Sequence, residues 1–164
     1  MNTSAPTSRE RVRAALAAAG LVCEIVETPD SARTAVEAAA AVSASVGQIV
    51  KSLVFLCDGH PVLALVAGDN RLDEAKLGAL AGGRITRADA AMVREHTGFA
   101  IGGVAPLGSL GALPVFCDAD LLAHDWVWAA AGAPHAVFRV EPGALVAAVG
   151  ARVAELALRE PSGA

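Results

Sequence analysis

Three glycines and one proline stand close together in residues 101–108, IGGVAPLG. Glycine leaves the peptide groups uncovered and proline fixes φ, so such a segment can form a stiff loop whose backbone N–H groups reach a ligand. The same residue types also mark connections that bind nothing. The candidate chemistry is main-chain hydrogen bonding, and the alternative is a plain loop between two strands.

Lys51 is a second candidate, because it stands within an apolar strand pattern. In residues 49–57, IVKSLVFLC, the positions on both sides of the strand are largely apolar, which predicts a strand covered on both faces. An ammonium group there needs a partner, since burying an unpaired charge is costly. That partner is either a carboxylate of the protein or an anionic ligand such as a phosphate.

His135 stands where a loop enters a predicted strand, at residues 136–140. A histidine at such a junction could orient a ligand or act as a general base. The alternative is a half-exposed side chain with one hydrogen bond and no chemical role. His60, in a predicted turn, and His96, near a helix end, rank below it.

The sequence shows none of the usual nucleophile or metal motifs. It has no G-x-S-x-G elbow and no glycine-rich nucleotide-binding motif. Cys23, Cys57 and Cys117 are far apart, without C-x-x-C or H-E-x-x-H patterns, so we expect buried thiols and no metal site. A cysteine hydrolase using Cys57 and His60 is disfavoured, because Cys57 should be buried.

Composition limits the class of protein. The chain has 164 residues and a formal net charge of −4, which argues against a broad basic nucleic-acid surface but allows a grip on a few phosphates. Hydrophobic residues make up 54%, yet the longest uncharged run, residues 97–117, contains five glycines and two prolines. So many glycines and prolines argue against a helix that spans a membrane.

The N-terminal region superficially resembles a signal peptide, with three arginines before a short apolar stretch. However, Thr7 and Glu10 form a capping-box pattern and Gly20 supplies a stop, so an ordinary first helix is predicted. We therefore expect a cytoplasmic protein.

The remaining periodicities alternate between helix and strand. Helices are predicted at residues 36–42, where Thr34 and Glu37 form a capping box, and at 72–80, 88–96 and 142–158, the last with a possible break at Gly150. Strands are predicted at residues 22–27, 49–57, 62–67, 98–101, 113–117, 126–130 and 136–140. The expected fold is α+β: a single domain over residues 1–164, with flexible ends at 1–6 and 160–164. Its curved, mixed and mainly antiparallel sheet, or partly open barrel, is flanked by helices.

Three segments together resemble the YbaK-like family, which includes the editing domain inserted in bacterial prolyl-tRNA synthetases. They are residues 47–55 (GQIVKSLVF), 102–106 (GGVAP) and 132–139 (GAPHAVFR). They occur in the family's order and approximate spacing, joined by residues 67–71 (AGDNR) with Lys76 beyond. The likeness extends from about residue 23 to residue 153.

The resemblance implies trans-editing, the hydrolysis of an amino acid wrongly esterified to a transfer RNA. It implies a small amino acid such as alanine, serine or cysteine, with the proline transfer RNA as the foremost candidate. The partner is the 3′ acceptor end of the mischarged aminoacyl-tRNA, and prolyl-tRNA synthetase is a further candidate partner. No cofactor, metal or membrane is implied.

The resemblance also assigns roles to residues. It places Lys51 near the terminal adenosine and its phosphate, has the loop from Gly102 to Pro106 hold the aminoacyl group through its backbone, and places His135 in the amino-acid pocket. The implied catalytic residues are Lys51, Gly102, Gly103 and Pro106. The implied substrate-binding residues are Lys51, Ser52, Thr34, Val104, Ala105, His135 and Gly132. Ala133 and Pro134 stand where inserted editing domains often carry polar residues, so the amino acid stays open.

The missing nucleophile fits this resemblance. Backbone N–H groups in a stiff loop can stabilise the oxyanion that forms on an ester carbonyl, and several family members use the substrate's own ribose hydroxyl or thiol. The protein then contributes positioning and electrostatics. The alternative is a non-catalytic module of the same fold that binds an aminoacyl-tRNA or a nucleotide.

Overall fold

The computed structural model describes residues 4–159, and these form an α+β fold. The helices are α1 (Ser8–Ala18), α2 (Ala35–Ala41), α3 (Glu74–Ala81), α4 (Ala90–Thr97) and α5 (Pro142–Val149). The strands are β1 (Ile25–Glu27), β2 (Val50–Cys57), β3 (His60–Ala67), β4 (Ile85–Arg87), β5 (Val115–Asp118), β6 (Val127–Ala130), β7 (Ala136–Val140) and β8 (Arg152–Ala154). Of the predicted flexible ends, residues 1–3 and 160–164 lie outside the described residues, and 4–6 are exposed coil.

The strands form two sheets. A five-stranded sheet has the order β4-β2-β3-β5-β8, and a three-stranded sheet has the order β1-β7-β6. β3–β5 and β5–β8 pair in parallel, whereas the other pairs are antiparallel. A single parallel bridge from Ile49 to Trp128 links the sheets. The predicted α+β class with mixed, mainly antiparallel pairing is confirmed, but the strands do not close into a barrel.

Local sequence signals explain the first helices and the central hairpin. Thr7 and Thr34 both form the predicted capping boxes, with Glu10 and Glu37 respectively. β2 and β3 pair along their whole length as the predicted hairpin. The turn residues Asp58 and Gly59 both have positive φ, 49° and 82°, the conformation that two-residue hairpins favour.

The core lies on both sides of the hairpin. One cluster contains Val50, Val54 and Leu65, packed with residues of α1, β6 and β7. The other contains Cys57, Ala64 and Val66 from the opposite side, packed with α3. β2 is therefore covered on both faces, as its sequence predicts. Across residues 4–159, the helices are all too short or too polar to cross a bilayer.

Two predicted elements are wrong. Residues 98–101 form no strand: Gly98 ends α4 in the left-handed conformation (φ 78°), and a turn follows. The glycine-rich loop therefore connects α4 to β5 rather than two strands. The predicted helix at 142–158 ends at Gly150 (φ 64°), after which β8 pairs in parallel with β5. Left-handed glycine ends both helices because it carries no Cβ penalty.

Candidate functional site

A cavity of about 930 Å³ opens between β2, the start of α2, β6 and the glycine-rich loop. Such a volume is typical of small-molecule sites. Of the residues predicted to contact substrate, the cavity brings together Lys51, Ser52, Thr34, Gly102 and Val104. It leaves out Gly103, Ala105, Pro106, Gly132 and His135.

Lys51 reaches the cavity from the second residue of β2. Its Nζ donates a hydrogen bond to the backbone carbonyl of Asn70, and it forms no ion pair with any carboxylate of residues 4–159. Burial lowers the pKa of the ammonium, while the charges of Asp69 and Asp118 partly oppose this. A cation held by a neutral carbonyl keeps donors for an anionic ligand.

The lowered pKa of Lys51 predicts a pH-dependent affinity for phosphate-bearing ligands. The ammonium is protonated at low pH, and because its pKa is lowered it loses its proton at a lower pH than an ordinary lysine does. The affinity for the ligand should therefore decrease as the pH rises through that lowered pKa. The measurement is the affinity for a short RNA ending in CCA from about pH 7 to about pH 10. Lys51→Arg, which stays charged, should bind with little pH dependence. An affinity of the unmodified protein that does not change with pH would contradict a contact between Lys51 and the phosphate.

A buried carboxylate holds the segment that carries the carbonyl partner of Lys51. Asp118 is 1% exposed, and its Oδ2 accepts from the Ala67 N–H at 3.1 Å and from Asn70 Nδ2 at 2.9 Å. Asn70 Nδ2 also donates to Asp120 Oδ2 at 2.7 Å, and Arg159 contacts the same oxygen at 2.9 Å. The Asn70 and Arg159 hydrogen bonds lower the pKa of Asp120.

This network predicts a stability effect at Asp118. Asp118→Ala leaves the Ala67 N–H without its acceptor and removes one of the two acceptors of the Asn70 amide, so the free energy of unfolding should decrease by roughly 1–3 kcal/mol. Chemical denaturation measures it, with Asp69→Ala as the control because Asp69 is exposed. Equal stability of Asp118→Ala and the unmodified protein would mean that the network does not hold this segment.

Two residues of the glycine-rich loop, Gly102 and Val104, line the cavity. Gly102 has φ 87° and is exposed, with open space where a Cβ would stand. Val104 is 6% exposed. The N–H groups of these two residues donate to no other described residue.

Gly103 has a different role. Its N–H already donates to the Ala100 carbonyl at 2.9 Å, so it is not a free donor. A Cβ at Gly103 would lie 3.0 Å from the backbone of Ala133, which is tighter than nine in ten real Cβ contacts. Gly103 therefore lets the loop pack against residues 133–134. Ala105 and Pro106 are the buried part of the loop, where Pro106 can stiffen it.

His135 and Gly132 lie beside the cavity rather than in it. The His135 side chain is 34% exposed, with Nε2 3.9 Å from Asp30 Oδ1; its Nδ1 is buried and has no hydrogen-bond partner among the described residues. Gly132 (φ 92°) packs against α1, because its Cβ would lie 2.7 Å from the Ser8 carbonyl oxygen. Between them, Pro134 lines the cavity.

Thr34 and Ser52, two polar residues predicted to bind substrate, differ in their hydrogen bonds. Thr34 lines the cavity but also caps α2, with its Oγ1 accepting from the Glu37 N–H at 3.1 Å. Ser52 lines the cavity too, and its Oγ is buried without a hydrogen-bond partner among residues 4–159.

Sequence reasoning missed Arg33, Arg71, Arg87 and Trp128, which also line the cavity. Arg71 follows Asn70 in the AGDNR segment, and this adjacency is the one sequence signal that could have identified it.

The cysteines lie apart from this chemistry. Cys57 is 8% exposed and Cys117 2%, and neither they nor His60 line the cavity. Burial, assisted by the charge of Asp118, raises the pKa of Cys117 to about 12. Burial also raises the pKa of Cys23. A thiol with a raised pKa is a poor nucleophile.

Comparisons with known proteins identify the family to which this chain belongs. The sequence profile of the aminoacyl-tRNA editing domain matches residues 29–148. The proline–tRNA ligase of Oleidesulfovibrio alaskensis is 40% identical over 106 residues, which cover 63% of this chain but only 18% of the ligase. An uncharacterised Bacillus subtilis protein, YwhH, is 31% identical over 73% of this chain and 76% of its own.

Solved structures extend the likeness to the whole fold. A crystal structure described as a proposed trans-editing enzyme for prolyl-tRNA synthetase superimposes with a TM-score of 0.89 at 50% identity, covering 95% of this chain and 100% of its own. The profile match includes Lys51 and the glycine-rich loop. The chain belongs to the aminoacyl-tRNA editing domain family.

Proposed function

We propose that the protein is a trans-editing hydrolase that deacylates mischarged aminoacyl-tRNA. The ester carries a small amino acid, alanine, serine or cysteine, on the proline transfer RNA. One observation carries this proposal: Lys51, Gly102 and Val104 line the same cavity, and the N–H groups of Gly102 and Val104 donate to no described residue. A cation and main-chain donors in one cavity suit a ligand with a phosphate and an ester carbonyl.

The proposed substrate is the 3′ acceptor end, bound by one domain formed by residues 1–164. Lys51 binds the phosphate next to the terminal adenosine, because charge-assisted contacts to phosphate are strong. The aminoacyl group lies at Gly102 and Val104, near Pro134, which also lines the cavity. Prolyl-tRNA synthetase is the candidate partner that would supply mischarged product, and the cytoplasm, where translation occurs, is the proposed location.

In the proposed reaction, water adds to the ester carbonyl carbon and the bond from that carbon to the ribose oxygen breaks. Negative charge develops on the carbonyl oxygen, and the Gly102 and Val104 N–H groups stabilise it. The neighbouring ribose hydroxyl orients the water, so no side-chain nucleophile is needed. The released ribose oxygen takes the proton that the attacking water gives up, which yields free amino acid and uncharged transfer RNA.

A panel of charged transfer RNAs tests the substrate assignment. Proline transfer RNA carrying alanine, serine, cysteine or proline is incubated with the protein, and remaining ester is measured against time. We expect rapid loss of at least one small mischarged amino acid and preservation of the proline ester. Equal hydrolysis of the proline ester would contradict an editing role, and stable binding without hydrolysis of any ester would favour the non-catalytic module.

A further inference from the structure

One edge of β2 lacks a partner strand along part of its length. β3 pairs with all of β2, but β4 reaches only residues 55–57. At the other end, β6 meets this edge only at the bridge between Ile49 and Trp128. In the part of the chain that the structure describes, the edge between these two contacts is open.

The register determines which peptide groups face this opening. The Asp58 N–H donates to the Arg84 carbonyl at 2.9 Å, on the β4 side. The peptide groups of successive residues alternate between the two edges of a strand. Ser52 and Val54 are six and four positions before Asp58, so their N–H and C=O groups also point away from β3. Phe55 and Arg87 form a non-hydrogen-bonded pair, so the ladder to β4 engages the Val54 carbonyl with the N–H of the residue after Arg87. The described ladders give the other three groups, the Ser52 N–H, the Ser52 C=O and the Val54 N–H, no partner strand.

β6 forms the opposite wall of the opening. The Ala131 N–H donates to the Ala136 carbonyl at 2.8 Å, on the β7 side. Trp128 and Ala130 are odd numbers of positions away from Ala131, so their peptide groups point to the other edge, toward β2. All four inward-facing residues, Ser52, Val54, Trp128 and Ala130, line the cavity. The opening is therefore a cleft between two strand edges, with unpaired main-chain groups on the β2 side at Ser52 and Val54 and one half-buried tryptophan on the β6 side.

We propose that the open edge of β2 at Ser52 and Val54 binds the terminal adenine base of the transfer RNA through main-chain hydrogen bonds. This inference rests on the proposed function and deepens it. A residue at a strand edge presents a donor N–H beside an acceptor C=O. Adenine presents the complement, a ring nitrogen acceptor beside an amino donor.

The chemistry of the cleft favours a base over a peptide strand. Unstacked bases at RNA ends are recognised by hydrogen bonds to their edges and by stacking on aromatic side chains, and Trp128 supplies an aromatic surface here. A peptide strand added to a sheet needs a longer edge, whereas Ser52 and Val54 span only about 7 Å.

The test compares two RNA hairpins that differ in one base. One ends in CCA and the other ends in CC followed by inosine, whose edge reverses the donor and acceptor pattern of adenine. Neither RNA is aminoacylated, so binding is measured without hydrolysis. The CCA hairpin should bind roughly 10-fold or more tightly, as expected for one bidentate contact to a base.

Two variants assign the preference to the peptide group. Ser52→Pro removes the outward N–H and keeps the ladder to β3, because proline is tolerated where an edge N–H faces away from the sheet. Its affinity ratio for the two RNAs should fall toward one. Ser52→Ala removes only the hydroxyl and should retain the ratio. If Ser52→Pro does not fold, the amide proton shifts of Ser52 and Val54 in the unmodified protein should respond to the CCA hairpin and not to the inosine hairpin.

The outcomes separate this inference from the proposed function. Equal affinity for both RNAs, with hydrolysis of a mischarged ester intact, overturns the role of the β2 edge and leaves the deacylase proposal standing. A base preference that survives in folded Ser52→Pro, with no amide response at Ser52 or Val54, also overturns it. A preference for CCA that Ser52→Pro abolishes supports the inference, even if no ester is hydrolysed.

Discussion

Lys51→Ala should lower the deacylation rate constant at subsaturating RNA by roughly 10-fold to 150-fold, the range that loss of a charged hydrogen bond produces. Lys51 is the one lysine that lines the cavity within residues 4–159, and its ammonium is held only by the Asn70 carbonyl. Alanine keeps the backbone hydrogen-bonding groups of this strand position, so the variant should lose the phosphate contact and still fold. Kinetics with increasing RNA concentration should show that most of the loss is in KM.

Lys76→Ala is the matched control. Lys76 donates to the Ala157 carbonyl at 2.7 Å and pairs with Glu155 at 3.3 Å, and it does not line the cavity. Removing it takes away a similar charge elsewhere on the same domain, so the rate should change by less than about 3-fold. If Lys51→Ala and Lys76→Ala behave alike while both are folded, Lys51 does not contact the substrate.

Gly102→Ala should lower the turnover number by about 100-fold or more, the typical cost of losing one oxyanion donor. The cavity side of Gly102 is open, so a new methyl group meets no protein atom within 4 Å. The methyl group would instead occupy space beside the N–H that faces the ester, and the residue would resist φ 87°. The measurement is single-turnover hydrolysis per folded molecule, taken together with thermal unfolding.

Gly59→Ala separates catalysis from backbone strain. Gly59 also has positive φ, 82°, and also has no atom within 4 Å of a new Cβ, but it lies in the β2–β3 turn away from the cavity. Both variants should lose about 1 kcal/mol or more of stability, and only Gly102→Ala should lose turnover. Normal turnover in folded Gly102→Ala would exclude its N–H as an oxyanion donor.

Short-range sequence signals predicted most of the fold. The capping boxes at Thr7 and Thr34 located α1 and α2, because their hydrogen bonds join residues only three positions apart. The apolar pattern of β2 and β3 likewise predicted the hairpin and the covering of both its faces. β4 was not predicted, since three residues provide too short a pattern to distinguish a strand from a loop.

Long-range contacts could not be predicted from the pattern. The glycine at position 103 is explained by a 3.0 Å approach of the Ala133 backbone, thirty positions away in the chain. The carbonyl partner of Lys51 belongs to Asn70, and its support comes from Asp118, so neither alternative for that partner named a main-chain group. Three residues to which the sequence resemblance gave roles, Lys51, Gly102 and Val104, line one cavity in the fold; their roles stay a prediction.

The most direct measurement is the single-turnover rate constant for hydrolysis of alanyl, seryl and cysteinyl esters of proline transfer RNA with the enzyme in excess. The spontaneous hydrolysis rate of each ester is measured in the same buffer. The account predicts that the protein accelerates at least one of these reactions by 100-fold or more, as expected from positioning and oxyanion stabilisation. Spontaneous rates for all three esters, under conditions in which the RNA is bound, would contradict it.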